Sequence, residues 1–282
     1  MEIKNFGVVG CGTMGRGIVQ VAATSGFNVY AIDAISNVLE SAKSSIEKGI
    51  TKWIEKGKIS KEEGEKAMNS ICYSDDISVL KVADFVVEAI IEKEEEKKKV
   101  FKELDGLLRE GVIIASNTSS ISITTLGKQT KRADKVIGMH FMNPVPLMAL
   151  VEVIKGYDTS DETVKFVIDL AKKMGKVPVE SKDSPGFISN RVLMPMINEA
   201  IFRLYEGIGT KEDIDTVMKL GMNHPMGPLS LADLIGLDVC LDILNVLYDR
   251  LKDPKYRPCP LLVKMVEAGY LGKKSGKGFY IY

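Results

Sequence analysis

The sequence predicts an α/β protein in which a doubly wound, mostly parallel sheet is followed by an all-helical C-terminal domain. Three observations support this prediction. A glycine-rich turn follows the first apolar run of the chain. Short β-branched runs then alternate with helical patterns as far as about residue 183, and strand-like runs almost disappear beyond it. We therefore expect two domains, residues 1–184 and residues 185–282.

The first strand and turn carry the pattern G-x-G-x-x-G. The apolar run Phe6–Val9 leads into Gly10, Gly12 and Gly15, and a helical pattern opens at Thr13. In such a turn the first glycine makes the bend, the second lets a pyrophosphate approach the backbone, and the third lets the helix pack on the strand. The helix start then offers N–H groups and a positive dipole end to phosphate. The predicted contacts with a dinucleotide are made by Gly10, Gly12, Thr13, Met14 and Gly15.

Asp33 closes the second predicted strand, Asn28–Ile32. Its carboxylate is placed to accept hydrogen bonds from an adenosine ribose, and its charge should repel the extra phosphate of NADP. Glycines also make ordinary turns, but here strand, glycines, helix and acidic residue occur in one register. The sequence therefore predicts a Rossmann-type domain that binds NAD.

The remaining elements continue the alternation. Helical patterns cover residues 36–58, 61–70, 92–109 and 163–174. Strand-like runs cover residues 84–89, 112–115, 136–139, 150–154 and 177–180. In the C-terminal part, helical spacing covers residues 187–205, 211–218 and 230–251. The apolar content of this part exceeds what a lone helical cap needs, which favours a homodimer or a higher homo-oligomer formed through it.

Composition and charge argue against several classes of protein. Lys plus Arg and Asp plus Glu both total 38, so nothing indicates a nucleic-acid surface. No apolar run is long enough to cross a bilayer, and the first strand starts too close to Met1 for a targeting peptide. The four cysteines are widely spaced, which favours reduced thiols over disulfides or a zinc site. We expect a cytoplasmic protein without a metal site.

The candidate chemistry lies near strand ends, where open α/β sheets bind their ligands. The polar segment Ser116–Ser120 follows one predicted strand, and His140 follows another. Glu152 stands inside an otherwise apolar strand, where an unpaired carboxylate is unfavourable, so we expect His140 to be its partner. A histidine oriented by a carboxylate is typical of a general base. The alternative is a histidine that only caps a strand or packs in the core.

These residues carry a family resemblance that extends over nearly all 282 positions. The chain resembles the 3-hydroxyacyl-CoA dehydrogenase family, and within it the stand-alone bacterial members that act on 3-hydroxybutyryl-CoA. The matching blocks are the glycine turn, Val86–Ile90, Ser116–Ser120, His140–Pro146, Asp183–Arg191, Met226–Leu229 and Gly276–Tyr280. The resemblance implies NAD-dependent interconversion of a 3-hydroxyacyl-CoA and a 3-ketoacyl-CoA, with a four-carbon acyl group as the expected substrate.

The resemblance also implies catalytic roles for four residues. His140 would move the proton of the substrate hydroxyl, and Glu152 would orient its ring. Ser119 and Asn190 would hydrogen-bond the substrate oxygens. Since Asn190 belongs to the helical domain, the site is expected in the cleft between the domains. Without the resemblance, Ser119 could be a helix cap and Asn190 a solvated helix residue.

Further contacts are implied by the same match. The additional cofactor contacts would be Glu92, Lys97, Asn117, Ser119, Asn143 and Lys274. Glu92 and Lys97 lie in a run of eight charged residues, which could equally be a solvated helix face. Lys274 lies in a Gly- and Lys-rich tail that could be a flexible end.

Coenzyme A carries phosphates, so basic residues should line its path. Lys56 matches the CoA-contacting lysine of the family and lies in a lysine-rich helix. Gly49 departs from the pattern, because animal relatives have a CoA-contacting serine there. An exposed helix face is the alternative for these lysines.

Two residues outside this scheme draw separate predictions. Cys11 lies at a helix start, where the dipole should lower the thiol pKa, and we hypothesise that its oxidation blocks the pyrophosphate site. The alternative is a small residue that simply fits. His224 lies in a turn before a helix, and we expect it to be structural.

Two other functions stay open at this point. The chain could be a different β-hydroxyacid dehydrogenase, which would use a catalytic lysine; the expected pairing of His140 with Glu152 argues against it. It could also be a non-catalytic, structural NAD-binding relative, as the eye-lens relatives of this family are. The intact Ser119, His140, Glu152 and Asn190 argue against that alternative.

Overall fold

The structure is a computed structural model that describes residues 3–282. The chain divides into two compact units, the first ending at Ser184 and the second comprising Pro185–Tyr282. Residues 1 and 2 of the predicted first domain lie outside the described residues.

From residue 3 onward, one eight-stranded sheet forms the centre of the first unit. Its strands are β1 (Asn5–Val9), β2 (Asn28–Ile32), β3 (Ile71–Ser74), β4 (Phe85–Glu88), β5 (Ile113–Ser116), β6 (Val136–Phe141), β7 (Leu150–Lys155) and β8 (Val177–Lys182). The strand order is β3-β2-β1-β4-β5-β6-β7-β8, and every neighbouring pair is parallel except β6 and β7. The predicted mostly parallel sheet is confirmed. The edge strand β3 was not predicted, because it is short and only half-buried.

Within the described part of the first unit, six helices flank this sheet. They are α1 (Thr13–Thr24), α2 (Ser36–Glu55), α3 (Lys61–Asn69), α4 (Glu94–Leu107), α5 (Ile123–Gly127) and α6 (Asp161–Lys173). Short 3₁₀ helices cover Ile77–Val82 and Ala133–Lys135. The start of α3 is fixed by a capping box, in which Ser60 and Glu63 each accept a backbone N–H of the other.

The central strands are buried on both faces, which explains their continuous apolar runs. All four residues of β4 are buried. Phe6 packs between Phe27 and Phe85, with ring centroids 5.7 and 5.3 Å apart. This rigid central sheet holds the ends of β1, β5 and β6, where the candidate residues lie.

The second unit is helical, as predicted. It contains α7 (Ser189–Tyr205), α8 (Lys211–Thr216), α9 (Pro228–Ile235), α10 (Leu237–Leu251) and α11 (Pro260–Glu267), with a π-helical turn Val217–Gly221 and 3₁₀ helices Pro254–Tyr256 and Lys273–Ser275. The single helix predicted for residues 230–251 is wrong. Gly236, with φ 108°, breaks it into α9 and α10, because that conformation lies outside the helical region.

The C-terminal tail packs onto the second unit. The buried carboxylate of Asp233 accepts the backbone N–H groups of Phe279 and Tyr280, both at 2.9 Å. The flexible-end alternative for this tail is therefore wrong. None of the helices within residues 3–282 is long and apolar enough to cross a membrane.

Candidate active site

His140 and Glu152 lie directly opposite each other in the antiparallel pair β6–β7. His140 Nδ1 is 2.8 Å from Glu152 Oε2, and the two residues are only 6% and 1% exposed. The sequence placed His140 after its strand, and this is wrong: β6 continues through Phe141. Because His140 lies in a strand, its side chain lies beside that of its cross-strand partner. A residue in a loop would have no such fixed orientation.

The carboxylate determines which imidazole nitrogen carries the proton. A glutamate oxygen at Nδ1 favours the tautomer with the proton on Nδ1, so Nε2 presents its lone pair. Ser119 Oγ lies 3.0 Å from this Nε2. In the tautomer that Glu152 selects, the Ser119 hydroxyl donates to Nε2. The arrangement is that of a general base with an adjacent hydroxyl donor.

Ser119 belongs to a turn that follows β5. The turn is held by Glu92, whose Oε1 accepts Ser119 N–H at 2.8 Å and the Thr118 hydroxyl at 2.5 Å. Burial raises the pKa of Glu92, but the positive charge of Lys97 and these hydrogen bonds outweigh it and lower the pKa below its usual value. The helix-cap alternative for Ser119 is wrong, because the N-cap of α5 is Ser122.

Asn117 ties this turn to β6. Its side-chain Oδ1 accepts the backbone N–H of Phe141 at 2.9 Å, one residue after His140. Asn117 is 8% exposed. The amide thus fixes the distance between the end of β5, which leads to Ser119, and the end of β6, which carries His140.

Lys97 is buried, with 1% of its surface exposed. Its Nζ lies 2.6 Å from Glu88 Oε1 and 3.3 Å from Glu92 Oε2. The solvated-face alternative is therefore wrong for Lys97. Glu88, fully buried in β4, was not singled out from the sequence. The signal that identified Glu152, a carboxylate inside an apolar strand, was equally available for Glu88.

The glycine turn is closely packed except where a ligand is expected. Gly10 has φ +94°, and a Cβ there would lie 2.6 Å from the Ala89 carbonyl oxygen. A Cβ on Gly15 would lie 1.7 Å from the Gly10 carbonyl oxygen, so the helix can approach the turn only without a side chain. Around Gly12, in contrast, a Cβ would meet nothing within 4 Å. The turn leaves open space at the position where a pyrophosphate approaches the backbone.

A cleft of about 760 Å³ lies along this turn. Among its lining residues are Gly10, Gly12, Thr13, Met14, Asp33 and Ile35. Asp33 Oδ2 accepts the Cys11 N–H at 2.8 Å, so the carboxylate also holds the glycine turn. The open space at Gly12, the start of α1 at Thr13 and the carboxylate at the cleft fit a bound NAD.

The prediction of a low pKa for the Cys11 thiol is wrong. Burial, and to a smaller extent the negative charge of Asp33, raises the pKa of Cys11 to about 12. The residue is 2% exposed, and Sγ lies 3.5 Å from the Ile32 carbonyl oxygen. Desolvation of the thiolate outweighs the helix dipole here. Cys11 is a buried small residue rather than a reactive thiol.

Two further predicted contacts, Asn143 and Lys56, lie at the surface. Asn143 is exposed and lines a smaller cavity of about 130 Å³ with Arg16 and Gln20. Lys56 is exposed at the end of α2. The departure at Gly49 has a packing reason, because a Cβ there would lie 2.4 Å from Gln20 Oε1.

Two of the predicted site residues, Asn190 and Lys274, belong to the second unit. Asn190 is the second residue of α7 and is 8% exposed, so the solvated-residue alternative is wrong. Lys274 Nζ pairs with Asp238 Oδ2 at 2.6 Å. His224 lies just after the π-helical turn, and its backbone N–H donates to the Met218 carbonyl. Within residues 3–282, no group of three or more His, Cys, Asp or Glu side chains is arranged to hold a metal ion.

Comparison with known proteins covers both units. Residues 5–184 match the NAD binding domain of 3-hydroxyacyl-CoA dehydrogenase, and residues 186–282 match its C-terminal domain. A probable 3-hydroxybutyryl-CoA dehydrogenase of Bacillus subtilis is 54% identical over 282 residues, which is 100% of this chain and 98% of that protein. The mitochondrial hydroxyacyl-coenzyme A dehydrogenase of Homo sapiens is 45% identical over 288 residues, covering 99% of this chain and 91% of that protein.

A solved structure extends the likeness to three dimensions. The crystal structure of (S)-3-hydroxybutyryl-CoA dehydrogenase from Ralstonia eutropha has a TM-score of 0.96 and 49% identity, and the match covers 100% of this chain and 99% of that one. The resemblance recognised in the sequence is confirmed. On both domains and at full length, the chain belongs to the 3-hydroxyacyl-CoA dehydrogenase family.

Proposed function

We propose that this protein interconverts a (3S)-3-hydroxyacyl-CoA and the corresponding 3-ketoacyl-CoA with NAD as cofactor. The observation that carries the proposal is the pairing of His140 Nδ1 with Glu152, which leaves Nε2 beside Ser119 in a member of this family. The named relatives favour 3-hydroxybutyryl-CoA and acetoacetyl-CoA as the reacting pair.

His140 acts as the general base in the oxidation. Its Nε2 accepts the proton of the substrate 3-hydroxyl, and the carboxylate of Glu152 stabilises the imidazolium that forms. Bound NAD supplies the hydride acceptor. In the reduction, His140 Nε2–H returns the proton to the developing alkoxide. Because Glu152 is almost fully buried, its charge acts on the ring with little screening by water.

Ser119 and Asn190 orient the substrate in this proposal. Ser119 is supported by its position, since a substrate hydroxyl at His140 Nε2 would also lie near Ser119 Oγ. Asn190 is supported by the family resemblance. Lys56 is assigned to the CoA end of the substrate on the same ground. The proposed cofactor contacts are Gly10, Gly12, Thr13, Met14, Gly15, Asp33, Glu92, Lys97, Asn117, Ser119, Asn143 and Lys274.

We further propose that residues 1–184 bind NAD, whereas residues 185–282 bind substrate and form a homodimer or higher homo-oligomer. The second unit exposes large apolar side chains, which are costly to leave in water. Among them are Val192, Ile208 and Leu220, at 69%, 69% and 82% exposure. Light scattering on the purified protein measures the oligomeric state, and a monomer at micromolar concentration would contradict this part.

A cytoplasmic location is also part of the proposal. All four cysteines are free thiols, which suits a reducing compartment. Cell fractionation with an antibody against the chain tests this location, and recovery from the periplasm or the membrane fraction would contradict it.

One experiment tests the reaction. The protein is mixed with NADH and acetoacetyl-CoA, and loss of the reduced-nicotinamide absorbance is followed, with His140→Gln as the control. We expect turnover by the wild type and a loss of about 10²–10⁴-fold in the variant with nearly unchanged NADH binding. Equal activity on free acetoacetate would favour another β-hydroxyacid dehydrogenase. No turnover at saturation would favour a structural NAD-binding protein.

The acyl chain length needs a separate comparison. Rates of reduction are measured at equal concentration with two ketoacyl-CoA substrates, one with a C4 acyl group and one with a C10 acyl group. A higher kcat/KM for the shorter substrate supports 3-hydroxybutyryl-CoA, and a preference for the longer one would replace it.

A further inference from the structure

A closed ring of hydrogen bonds, buried at Glu88 and Lys97 and exposed at Glu92, joins the ends of β4 and β5 to the start of α4. Its centre is Glu88, which is fully buried. Glu88 Oε1 accepts from Lys97 Nζ at 2.6 Å and from the Ile90 N–H at 2.7 Å, and Oε2 accepts from Ser116 Oγ at 2.7 Å. Both carboxylate oxygens thus have donors, as a buried charge requires.

Lys97 links Glu88 to Glu92 in this ring by pairing with both carboxylates. The ammonium group is buried between the two carboxylates, 2.6 Å from one and 3.3 Å from the other. A single cation shared by two acidic groups fixes their separation, because moving either one leaves a charge less well paired.

Glu92 links Lys97 to the turn that contains Ser119. One oxygen of Glu92, Oε1, is the acceptor for the N–H groups of Ser119 and Ser120, at 2.8 and 3.1 Å, and for the hydroxyl of Thr118. The ring then closes, since the Thr118 N–H donates to Ser116 Oγ at 3.2 Å. Ser119 in turn places its hydroxyl 3.0 Å from His140 Nε2. The ring of ion pairs and hydrogen bonds therefore reaches a side chain that touches the proposed base.

We propose that Glu88 is a positioning residue: through Lys97 and Glu92 it fixes the Ser119 turn so that the Ser119 hydroxyl faces His140 Nε2. The inference rests on the proposed function for its catalytic meaning, but the geometry it describes is independent of the substrate. The competing explanation is a purely structural ring that only stiffens the sheet.

The shape of the ring separates these two explanations. A ring that only stiffened the sheet would need no contact beyond its strands. Here a single carboxylate oxygen gathers donors from three consecutive residues of one turn, 118–120. Those residues include the one that contacts the imidazole. We conclude that the ring acts on the orientation of this turn and not only on the strands.

The test is a double-mutant cycle between Glu88→Gln and Ser119→Ala. Glutamine keeps the shape of Glu88 but removes the charge that holds Lys97 and replaces one of the two acceptor oxygens by an NH2 donor. We expect Glu88→Gln to lower kcat for acetoacetyl-CoA reduction by about 10- to 100-fold, with a smaller change in KM for NADH. In the Ser119→Ala background the same substitution should cost much less, because its effect passes through Ser119. Equal fold-losses in both backgrounds would overturn the proposal.

A matched control separates positioning from loss of stability. Asp105→Asn removes the carboxylate of another, partly buried ion pair, Asp105 with Arg132 at 2.8 Å. We expect it to lower the melting temperature without the kcat loss of Glu88→Gln. If Glu88→Gln does not fold, Glu88→Gln combined with Lys97→Gln replaces it, because that variant leaves no unpaired lysine in the ring. An unchanged kcat in a folded variant would contradict the proposal.

An NMR readout keeps this inference separate from the proposed reaction. The chain has only two histidines, so in a His224→Gln background the imidazole signals belong to His140. We expect the Nε2 chemical shift of His140 in Glu88→Gln to move toward its value in Ser119→Ala. A shift unchanged from the parent protein would overturn the positioning role, whether or not the protein turns over acetoacetyl-CoA. Failure of wild-type turnover alone would refute only the proposed function.

Discussion

His140 Nδ1 lies 2.8 Å from Glu152 Oε2, and the two residues are cross-strand partners in the sheet's antiparallel pair, β6–β7. The backbone hydrogen bonds between β6 and β7 fix the separation of the two residues, whatever conformation their side chains adopt. Because both residues are buried, the Nδ1 side of the ring cannot exchange this carboxylate for bulk water. The sheet itself thus sets the orientation of the proposed base.

Replacing Glu152 by Gln should impair catalysis more than folding. The amide can donate to Nδ1, which favours the tautomer with a proton on Nε2 and removes the base. We expect kcat to fall by about 10²–10⁴-fold with little change in the Kd of NADH. Steady-state kinetics and a fluorescence titration with NADH measure the two quantities. A loss below about threefold would remove Glu152 from the proposed role.

Asp33 has one observed contact, with the Cys11 N–H, and one proposed role, in ribose recognition, and substitutions can separate the two. Asn keeps an oxygen to accept the Cys11 N–H but removes the negative charge, so Asp33→Asn should raise the ratio of kcat/KM for NADPH to that for NADH by at least about tenfold. Asp33→Ala also loses the acceptor and should lower the free energy of unfolding by about 1 kcal/mol more. Kinetics with both cofactors and urea unfolding check these outcomes. An unchanged cofactor ratio in Asp33→Asn would mean that other groups recognise the ribose.

The lowered pKa of Glu92 predicts a pH dependence of stability. In the folded protein Glu92 binds a proton less readily than in the unfolded chain, whose carboxyl keeps its ordinary pKa of 4.5. Its stabilising effect is therefore complete above pH 4.5 and is lost as the pH falls through the lower, folded-state pKa. We expect Glu92→Gln to unfold more easily than wild type at pH 7, with the difference shrinking below pH 4.5.

Urea unfolding at a series of pH values measures this difference. The control is Glu95→Gln on the same helix, whose side chain is 77% exposed and should change stability little at any pH. A difference for Glu92→Gln that stays constant from pH 7 to pH 3 would contradict the assignment.

Cys11 should resist alkylation in the folded protein. With a pKa of about 12, its thiolate fraction near neutral pH is about a thousandfold below that of an ordinary thiol, and the side chain is buried. Cys72, the exposed cysteine, should react with iodoacetamide first. Mass spectrometry of the labelled peptides over time compares the two sites. Labelling of Cys11 at the rate of Cys72 would restore the hypothesis of a reactive thiol.

Patterns local to the chain were sufficient for much of the fold. The glycine turn, the start of α1 and the strand ending before Asp33 depend on residues close in sequence, so their spacing alone identified them. The break at Gly236 was missed because the apolar spacing continues on both sides of it. The helical pattern records which face is buried but not the backbone conformation of a single glycine.

By itself the sequence determined the sheet-and-helix architecture, the NAD-binding turn and the pairing of His140 with Glu152. The architecture follows from periodicity, the turn from the spacing of its glycines, and the pairing from a polar residue in an apolar strand. Only the tertiary structure decided the environment of charged and nucleophilic groups. Lys97 lies in a charged run that resembles a solvated face, yet it is buried between Glu88 and Glu92, and Cys11 sits at a helix start, yet its pKa is raised. Burial and the geometry of pairing are set by how the elements pack, and they change the free energy of a charge more strongly than its place in a helical pattern does.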